Sequence, residues 1–301
     1  MTPTKSFLFI GFSVFIAIGF IVACTKNTTP TPPIHDTVTV IKNDTLIKTK
    51  TDTLYATKPD STVNLTKGLL LYLPFSGNIA DSSGNANPTA AVGSVLTYDA
   101  HGYANSAFGA TGNGAKVYVT NNGSIKFDTA YSLSFGFMVN DNRTCTYMSM
   151  VDPATGKGPT FIVGTTLPGI PYVDFGTEDI SLTCDNIGKS DNVDITDTTT
   201  FTPVPGSWYN AIGIYHTGSF QFYINGQLIS TRKGVGTQSL LCPNSQIVIG
   251  AWWNNDPQYF SGKLDNIRLY NRVLSPNEII QLSKNYQITS NSIRPGVKVN
   301  R

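Results

Sequence analysis

Residues 208–230 read WYNAIGIYHTGSFQFYINGQLIS, and this stretch decides the fold. Asn225-Gly226 separates FQFYI from QLIST, and both turn residues of a two-residue hairpin need positive φ, which Asn and Gly tolerate best. Just upstream, SWYNAIGIY sets Ile212 and Ile214 at alternate positions, so Trp208, which opens that strand, reads as structural. Working outward, Leu69, Leu71, Leu73 and Phe75 alternate with Leu70, Tyr72 and Pro74, a strand with one strongly apolar face. AKVYVT (115–120), YSLSFGFMV (131–139), TYMSMV (146–151), PYVDFG (171–176), QIVIGAW (246–252) and KLDNIRLY (263–270) add further strands. Short strands parted by Gly, Asn and Pro clusters, with almost no helical periodicity, predict an all-β sandwich of two packed antiparallel sheets. One helix is expected: Ser275-Pro276-Asn277-Glu278 is a capping box with Pro at the first helical position. Its apolar Ile279, Ile280 and Leu282 are expected to dock on the sandwich edge.

Composition narrows the function. Charged residues make up 13% of 301 and aromatics 11%, with 27 glycines, a balance that suits an extracytoplasmic β protein. The formal charge of +2 is scattered, with no basic stripe to follow a phosphate backbone, so nucleic acid is excluded as a partner. Glu178 and Glu278 are the two glutamates of the chain, which excludes most two-glutamate hydrolase mechanisms. His35, His101 and His216 lie far apart in sequence, poor material for a zinc site.

The N-terminal part reads as an address and a stalk. Lys5 precedes an apolar run from Phe7 to Ala23, followed by Ile21-Val22-Ala23-Cys24 at its end. The pattern is that of a secretory signal over residues 1–23, and its end resembles a bacterial lipobox, which implies acylation of Cys24 and a lipid anchor, in an outer membrane by expectation. An uncleaved membrane helix is the alternative, since the run reaches the lower limit for spanning. Residues 24–66 repeat with Asp36, Asp44, Asp52 and Asp60 eight apart, which is no coiled-coil period. With few large apolar groups they form an extended stalk, reaching roughly 140 Å at about 3.3 Å per residue. The Asp-Thr/Ser triplets of the repeat resemble the acceptor sequon of a bacterial O-glycosylation system, with Thr37, Thr45, Thr53 and Ser61 as acceptors; drift in a low-complexity linker explains them equally. Residues 67–284 form the body, and 285–301, basic and without acid, a flexible tail.

Within the body, LLLYLPFSGNIADSSGNANPTA, SLSFGFMV, the 208–230 hairpin and FSGKLDNIRLYNRVLSPNEIIQL follow one another in an order that resembles laminin-G-like members of the concanavalin A-like lectin/glucanase superfamily. The resemblance covers roughly residues 68–284. It departs where the family often has Trp (here Phe137) and in the polar insert from about 185 to 205. It implies a jelly-roll sandwich. Fold alone does not assign function.

Glucanases of the superfamily carry Glu-x-Asp-x-x-Glu on one strand, and this chain has no such motif; Glu278 is engaged in the helix cap and Glu178 adjoins Asp179 in a loop. The resemblance implies a structural Ca²⁺ at Asp265, with Asp81 as second ligand. The alternatives are a charge pair of Asp265 with Arg268 or Lys263, and an Asx turn of Asp81 with Ser83 and Gly84, the latter favoured. Trp252, Trp253, Asn254, Asp256 and Tyr259 form an expected carbohydrate platform, since sugars stack on flat rings and bond to amides. Adjacent strand residues face opposite ways, so one tryptophan is expected to pack inside. Asp185, Asp191, Asp194 and Asp197 read as a solvated loop or a second cation site. Cys145, Cys184 and Cys242 allow one disulfide, and the pairing stays open. The leading expectation is a non-catalytic glycan-binding module on a lipoprotein. A protein-binding adhesion or assembly module and a divergent glycan-degrading enzyme are the alternatives.

Overall fold

The computed structural model describes residues 63–286, except 94, 128, 167–169, 176–183, 185–200, 234–240 and 256–257. Residues 1–62 with Cys24, Thr37, Thr45, Thr53 and Ser61, residues 287–301, Glu178, Asp256 and the acidic insert Asp185–Asp197 therefore lie outside the described residues, whereas Tyr286, expected in the tail, is buried and bonded to Asp265 of the body.

Fourteen strands and one helix are described. They are β1 (Leu69–Leu73), β2 (Thr89–Val92), β3 (Val95–Thr97), β4 (Ala107–Thr111), β5 (Lys116–Thr120), β6 (Ala130–Val139) and β7 (Cys145–Val151). The second half adds β8 (Phe161–Thr166), β9 (Ile170–Phe175), β10 (Trp208–His216), β11 (Ser219–Ile224), β12 (Gln227–Lys233), β13 (Gln246–Ile249), β14 (Ser261–Tyr270) and α1 (Pro276–Lys284). The larger sheet runs β12-β11-β10-β6-β14-β4-β3, with β1 also paired to β14, and the smaller runs β2-β5-β13-β7-β8-β9. Every ladder is antiparallel. This is the two-sheet jelly-roll sandwich that the alternation predicts. The Asn225-Gly226 hairpin joins β11 to β12, with φ of 50° and 79°.

Between the sheets, Tyr131, Leu133, Phe135, Phe137 and Val139 of β6 meet Val117, Val119, Tyr147, Met150 and Phe161 from the smaller sheet. Phe137, where the family often has Trp, is buried, with ring centres 5.3 Å from Tyr147 and 5.5 Å from Tyr209. Each such ring contributes about 1.5–3 kcal/mol by burial.

A second, smaller cluster lies on the outer face of the larger sheet. Ile212, Ile214 and Tyr270 pack there against Leu274, Ile279 and Leu282 of the helix region. The capping box is present: the Glu278 amide donates to Ser275 Oγ and the Ser275 amide to Glu278 Oε2. Arg272 grips both Glu278 oxygens at 2.7 Å. Two expectations change. Ile280 is 50% exposed, because on a helix Ile279 and Leu282 share a face that Ile280 leaves. Leu69 joins this outer cluster and leaves the inner face of its strand, because β1 shifts register between Leu69 and Leu71.

Candidate functional site

The other face of the smaller sheet is covered where Ser149, Val151, Ile162 and Val248 are buried and open to solvent around Ala90, Thr120 and Gln246. On β5, Val117 and Val119 enter the core, so alternation sends Lys116, Tyr118 and Thr120 outward. On β13, Ile247 and Ile249 point in and Gln246 and Val248 out. The ladder sets Ala90, Tyr118 and Val248 in one row and Thr120 beside Gln246 in the next. Two clefts of about 460 and 380 Å³ lie over these rows and share Thr120, Pro153 and Gln246, which makes them one open trough. Its walls are the 152–154 turn after β7, the Pro243-Asn244-Ser245 approach to β13, and Asn254.

Loop 251–255 is pinned over the sheet. Tyr118 donates its hydroxyl to Asn254 Oδ1 at 2.6 Å, Lys116 Nζ donates to the Asn254 carbonyl at 3.0 Å, and the Asn254 amide donates to Pro153 O at 3.0 Å. Ser149 Oγ donates to the Trp252 carbonyl. The Lys116 ammonium also lies 4.9 Å from the centre of the Tyr259 ring. Partial burial, with the neighbouring Tyr259 phenol, raises the Tyr118 pKa, which keeps it a neutral donor.

Of the expected platform, Asn254 stands exposed in the trough wall. Trp252 and Trp253 are half-buried against Val151, Ile162, Val248 and Ala251, as Tyr118 and Tyr259 are, so none of the four rings stands fully free. The chain bends after Gly250 (φ 93°), which breaks the strand parity that would have parted them. Trp208 stacks on Tyr286 at 5.9 Å on the opposite side of the molecule, a structural role. Tyr118 is the ring that sequence reasoning missed. The alternation of AKVYVT already sets it opposite Val117 and Val119.

One disulfide is formed, Cys184–Cys242, next to the Pro243-Asn244-Ser245 wall. Cys145 is free and buried, and burial raises its thiol pKa, so it is no nucleophile.

The two aspartates do different work. Asp81 accepts five hydrogen bonds, from the amides of Tyr72, Ser83 and Asn87, from Ser83 Oγ and from Asn87 Nδ2. These hold its pKa low although burial opposes them, and both oxygens are filled by the Asx-turn arrangement. Asp265 sits at a register shift where β14 passes from β4 to β1. It is 2% exposed; Oδ2 accepts from Asn266 Nδ2 at 2.9 Å and Tyr286 Oη at 3.2 Å, and Oδ1 has no hydrogen-bond partner. Burial pushes its pKa up to about 7. Neither expected cation pairs with it: Arg268 lies over the Tyr72 ring at 3.9 Å, and Lys263 Nζ donates to Tyr98 O. Calcium takes six to eight oxygens. With both Asp81 oxygens engaged by five donors, Asp265 Oδ1 is the carboxylate oxygen of the pair without a hydrogen-bond partner.

A glycosidase needs two carboxyl groups about 5–9.5 Å apart across the sugar. Asp152 is the sole carboxylate among the described trough-lining residues, and its Oδ1 accepts from the Ala154 amide.

No curated protein is similar to this chain. Among solved structures, domain 4 of AbnA, a GH43 extracellular arabinanase from Geobacillus stearothermophilus in complex with arabinotriose, is 17% identical with a TM-score of 0.54, covering 71% of this chain and 98% of that one. The receptor binding domain of botulinum neurotoxin mosaic serotype C/D is 16% identical, TM-score 0.55, over 74% of this chain and 52% of the other. The binding domain of Paraclostridial Mosquitocidal Protein 1 is 18% identical, TM-score 0.53, over 74% and 53%. The chain thus spans about half the length of these toxin domains, and at such identities the likeness shows the fold. A family profile described as concanavalin A-like lectin/glucanases superfamily matches residues 111–280, more than half of the chain, from the last residue of β4 to the middle of α1. The chain belongs to the concanavalin A-like lectin/glucanases superfamily.

Proposed function

We propose that this protein is a non-catalytic carbohydrate-binding module, held outside the cell by a lipid on Cys24 and a stalk of residues 24–66. The trough over the smaller sheet carries the reading. Its wall and floor offer hydroxyl and amide groups of Thr120, Asn121, Asn244, Gln246 and Asn254 around the Tyr118 ring. A sugar chain has the matching chemistry, C–H faces for the ring and hydroxyls for the amides. The trough is open along its length, so it suits a chain better than a compact ligand. Among the described trough-lining residues Asp152 is the one carboxylate, which favours binding over a two-carboxyl cleavage. The solved structure of the arabinanase domain with arabinotriose supports a saccharide ligand for this fold. Many weak contacts of one membrane surface would add to each other through effective concentration.

Arabino-oligosaccharides, arabinan and other neutral polysaccharides are the first ligands to assay with the purified full chain, together with release of reducing ends. Retention that falls about tenfold in Tyr118→Ala, or about 1.4 kcal/mol, without reducing-end release, is the expected result. Steady cleavage of any of these polymers, or equal retention by Tyr118→Ala, defeats the reading. Intact mass of the membrane-extracted protein tests the anchor: acyl mass on Cys24 is expected, and a mature chain with an unmodified N-terminus contradicts it.

A further inference from the structure

A strand at the end of a sheet offers a row of amides and carbonyls to any chain that lines up with it, and proteins guard such edges with charge, proline or cover. The edges of this sandwich are guarded unequally. β12 carries Arg232 and Lys233, and β9 carries Asp174. β1 is covered: Asp81 accepts from its Tyr72 amide, and Ser83, Asn85 and Asn87 donate to its Leu70 carbonyl. β2, at the end of the smaller sheet, reads Thr-Ala-Ala-Val, and no charged residue occurs from Ser82 to Tyr98. β3, in the same stretch, has only three residues. Ala90, Ala91 and Val92 are exposed, Val92 at 54%, although alternation turns Ala91 to the core side with Val117. The ladder tells which backbone groups are free. The Thr120 amide donates to Pro88 O, one step along the register that sets Thr89 against Val119. In an antiparallel pair every second residue turns its amide and carbonyl to the neighbour, so Ala90 and Val92 bond to β5 while Thr89 and Ala91 turn theirs outward. Among the described residues no hydrogen bond reaches those outward groups.

We propose that β2 is the edge through which two copies of this chain pair, antiparallel, about a two-fold axis at Ala90. Thr89 of each copy then faces Ala91 of the other, and the outward amides and carbonyls close about four hydrogen bonds. A two-fold axis brings each residue close to its own counterpart, so a charge beside the axis would meet its like. β2 has none, whereas β12 paired with itself would set Arg232 and Lys233 of two copies together. The pairing joins two smaller sheets into one. Ala90 shares a row with Tyr118 and lines the trough, so the two Tyr118 rings come onto one continuous face, three strand spacings or about 14 Å apart. Each trough gains a continuation on the second copy. A four-residue edge buries less than the about 800 Å² per partner of a stable interface, so the pair is weak, with a Kd of about 0.1–1 mM, and forms where copies are crowded.

The inference does not depend on what the trough binds, and its test uses no glycan, so it can fail while the proposed function stands. The full chain in detergent is prepared as wild type, as Ala90→Cys, and as Ala90→Cys with Ala91→Pro or Ala91→Lys. Residues opposite one another at such a non-hydrogen-bonded position have Cα atoms about 4.5 Å apart, within reach of a disulfide. Mild oxidation of a concentrated sample is expected to convert Ala90→Cys to covalent dimer severalfold beyond the wild-type background. Ala91→Pro removes an amide that points away from β5, so it should keep the melting temperature and return the dimer to background. Ala91→Lys, which sets like charges across the axis, should do the same and serves where the proline variant melts lower. No dimer above background in Ala90→Cys overturns the proposal. Equal dimer with and without the second substitution also overturns it, since the thiols would then meet without strand pairing.

Discussion

The two sheets are built by the same alternation, yet their outer faces end differently. Over the larger sheet, α1 and the residues beside it close the surface: Ile279 and Leu282 bury Ile212 and Ile214, and the Tyr286 ring lies so close to Gly136 that a Cβ there would stand 2.1 Å from it. Over the smaller sheet the 251–255 loop covers only one part, where Trp252 and Trp253 pack on Val248, and the sheet stays open around Ala90, Thr120 and one side of Tyr118. A face that is sealed by a helix contributes stability. A face that is half sealed by a pinned loop keeps room for a ligand.

The sharpest way to break this contrast is to cut into the sealed side. Leu282→Ala removes a buried side chain from the helix face and is expected to cost about 2–5 kcal/mol in urea unfolding. Glycan retention, measured below the transition, should stay at the wild-type level. Binding lost in step with that truncation would mean that the two faces are not separate in function.

Loss of the disulfide acts on the open side. Cys184–Cys242 links positions 58 apart and supports the Pro243-Asn244-Ser245 wall, so Cys184→Ser/Cys242→Ser is expected to cost about 2–4 kcal/mol and to weaken retention. Retention unchanged in a folded double variant would remove that wall from the site.

Asp265 gives the sealed face a pH dependence. Its folded pKa of about 7 lies above the ordinary carboxyl value, so the native state binds the proton more tightly than the unfolded chain does. The stabilisation is complete below the ordinary carboxyl pKa and is lost as pH rises through about 7, at roughly 1.4 kcal/mol per unit at most. Asp265→Asn, neutral throughout, should flatten the decline in melting temperature between mildly acid and neutral pH. An equally steep decline in the variant would place the effect elsewhere. The smallest effect is expected from chelator: with Asp81 saturated by five donors, EDTA should leave the melting temperature in place, and a clear drop would restore a cation to Asp265.

Much of the fold was legible because its signals are local. The Asn225-Gly226 turn, the Ser275–Glu278 capping box and the period-two strands each need only neighbours in sequence. Leu69 and Ile280 were misplaced because a register shift in β1 and the angular position on α1 decide between two faces that composition does not distinguish. The site was harder to read. Asn254, Pro153, Asn244 and Tyr118 meet because β5, β13 and β7 are neighbours in the sheet although far apart in the chain, a fact of topology. Trp252 and Trp253 drew notice as large rings, and for the same reason they are half-buried: large apolar area over a sheet face is most stable when packed. Tyr118 was visible by parity, but nothing in the sequence placed it at the floor of a trough.

The measurement that tests the account most directly is equilibrium binding of the full chain and Tyr118→Ala to a neutral polysaccharide that the wild type retains, with melting curves recorded on both. A variant that melts like the wild type and binds about tenfold more weakly is the predicted result. A variant that melts alike and binds alike would contradict the open sheet face as the seat of function.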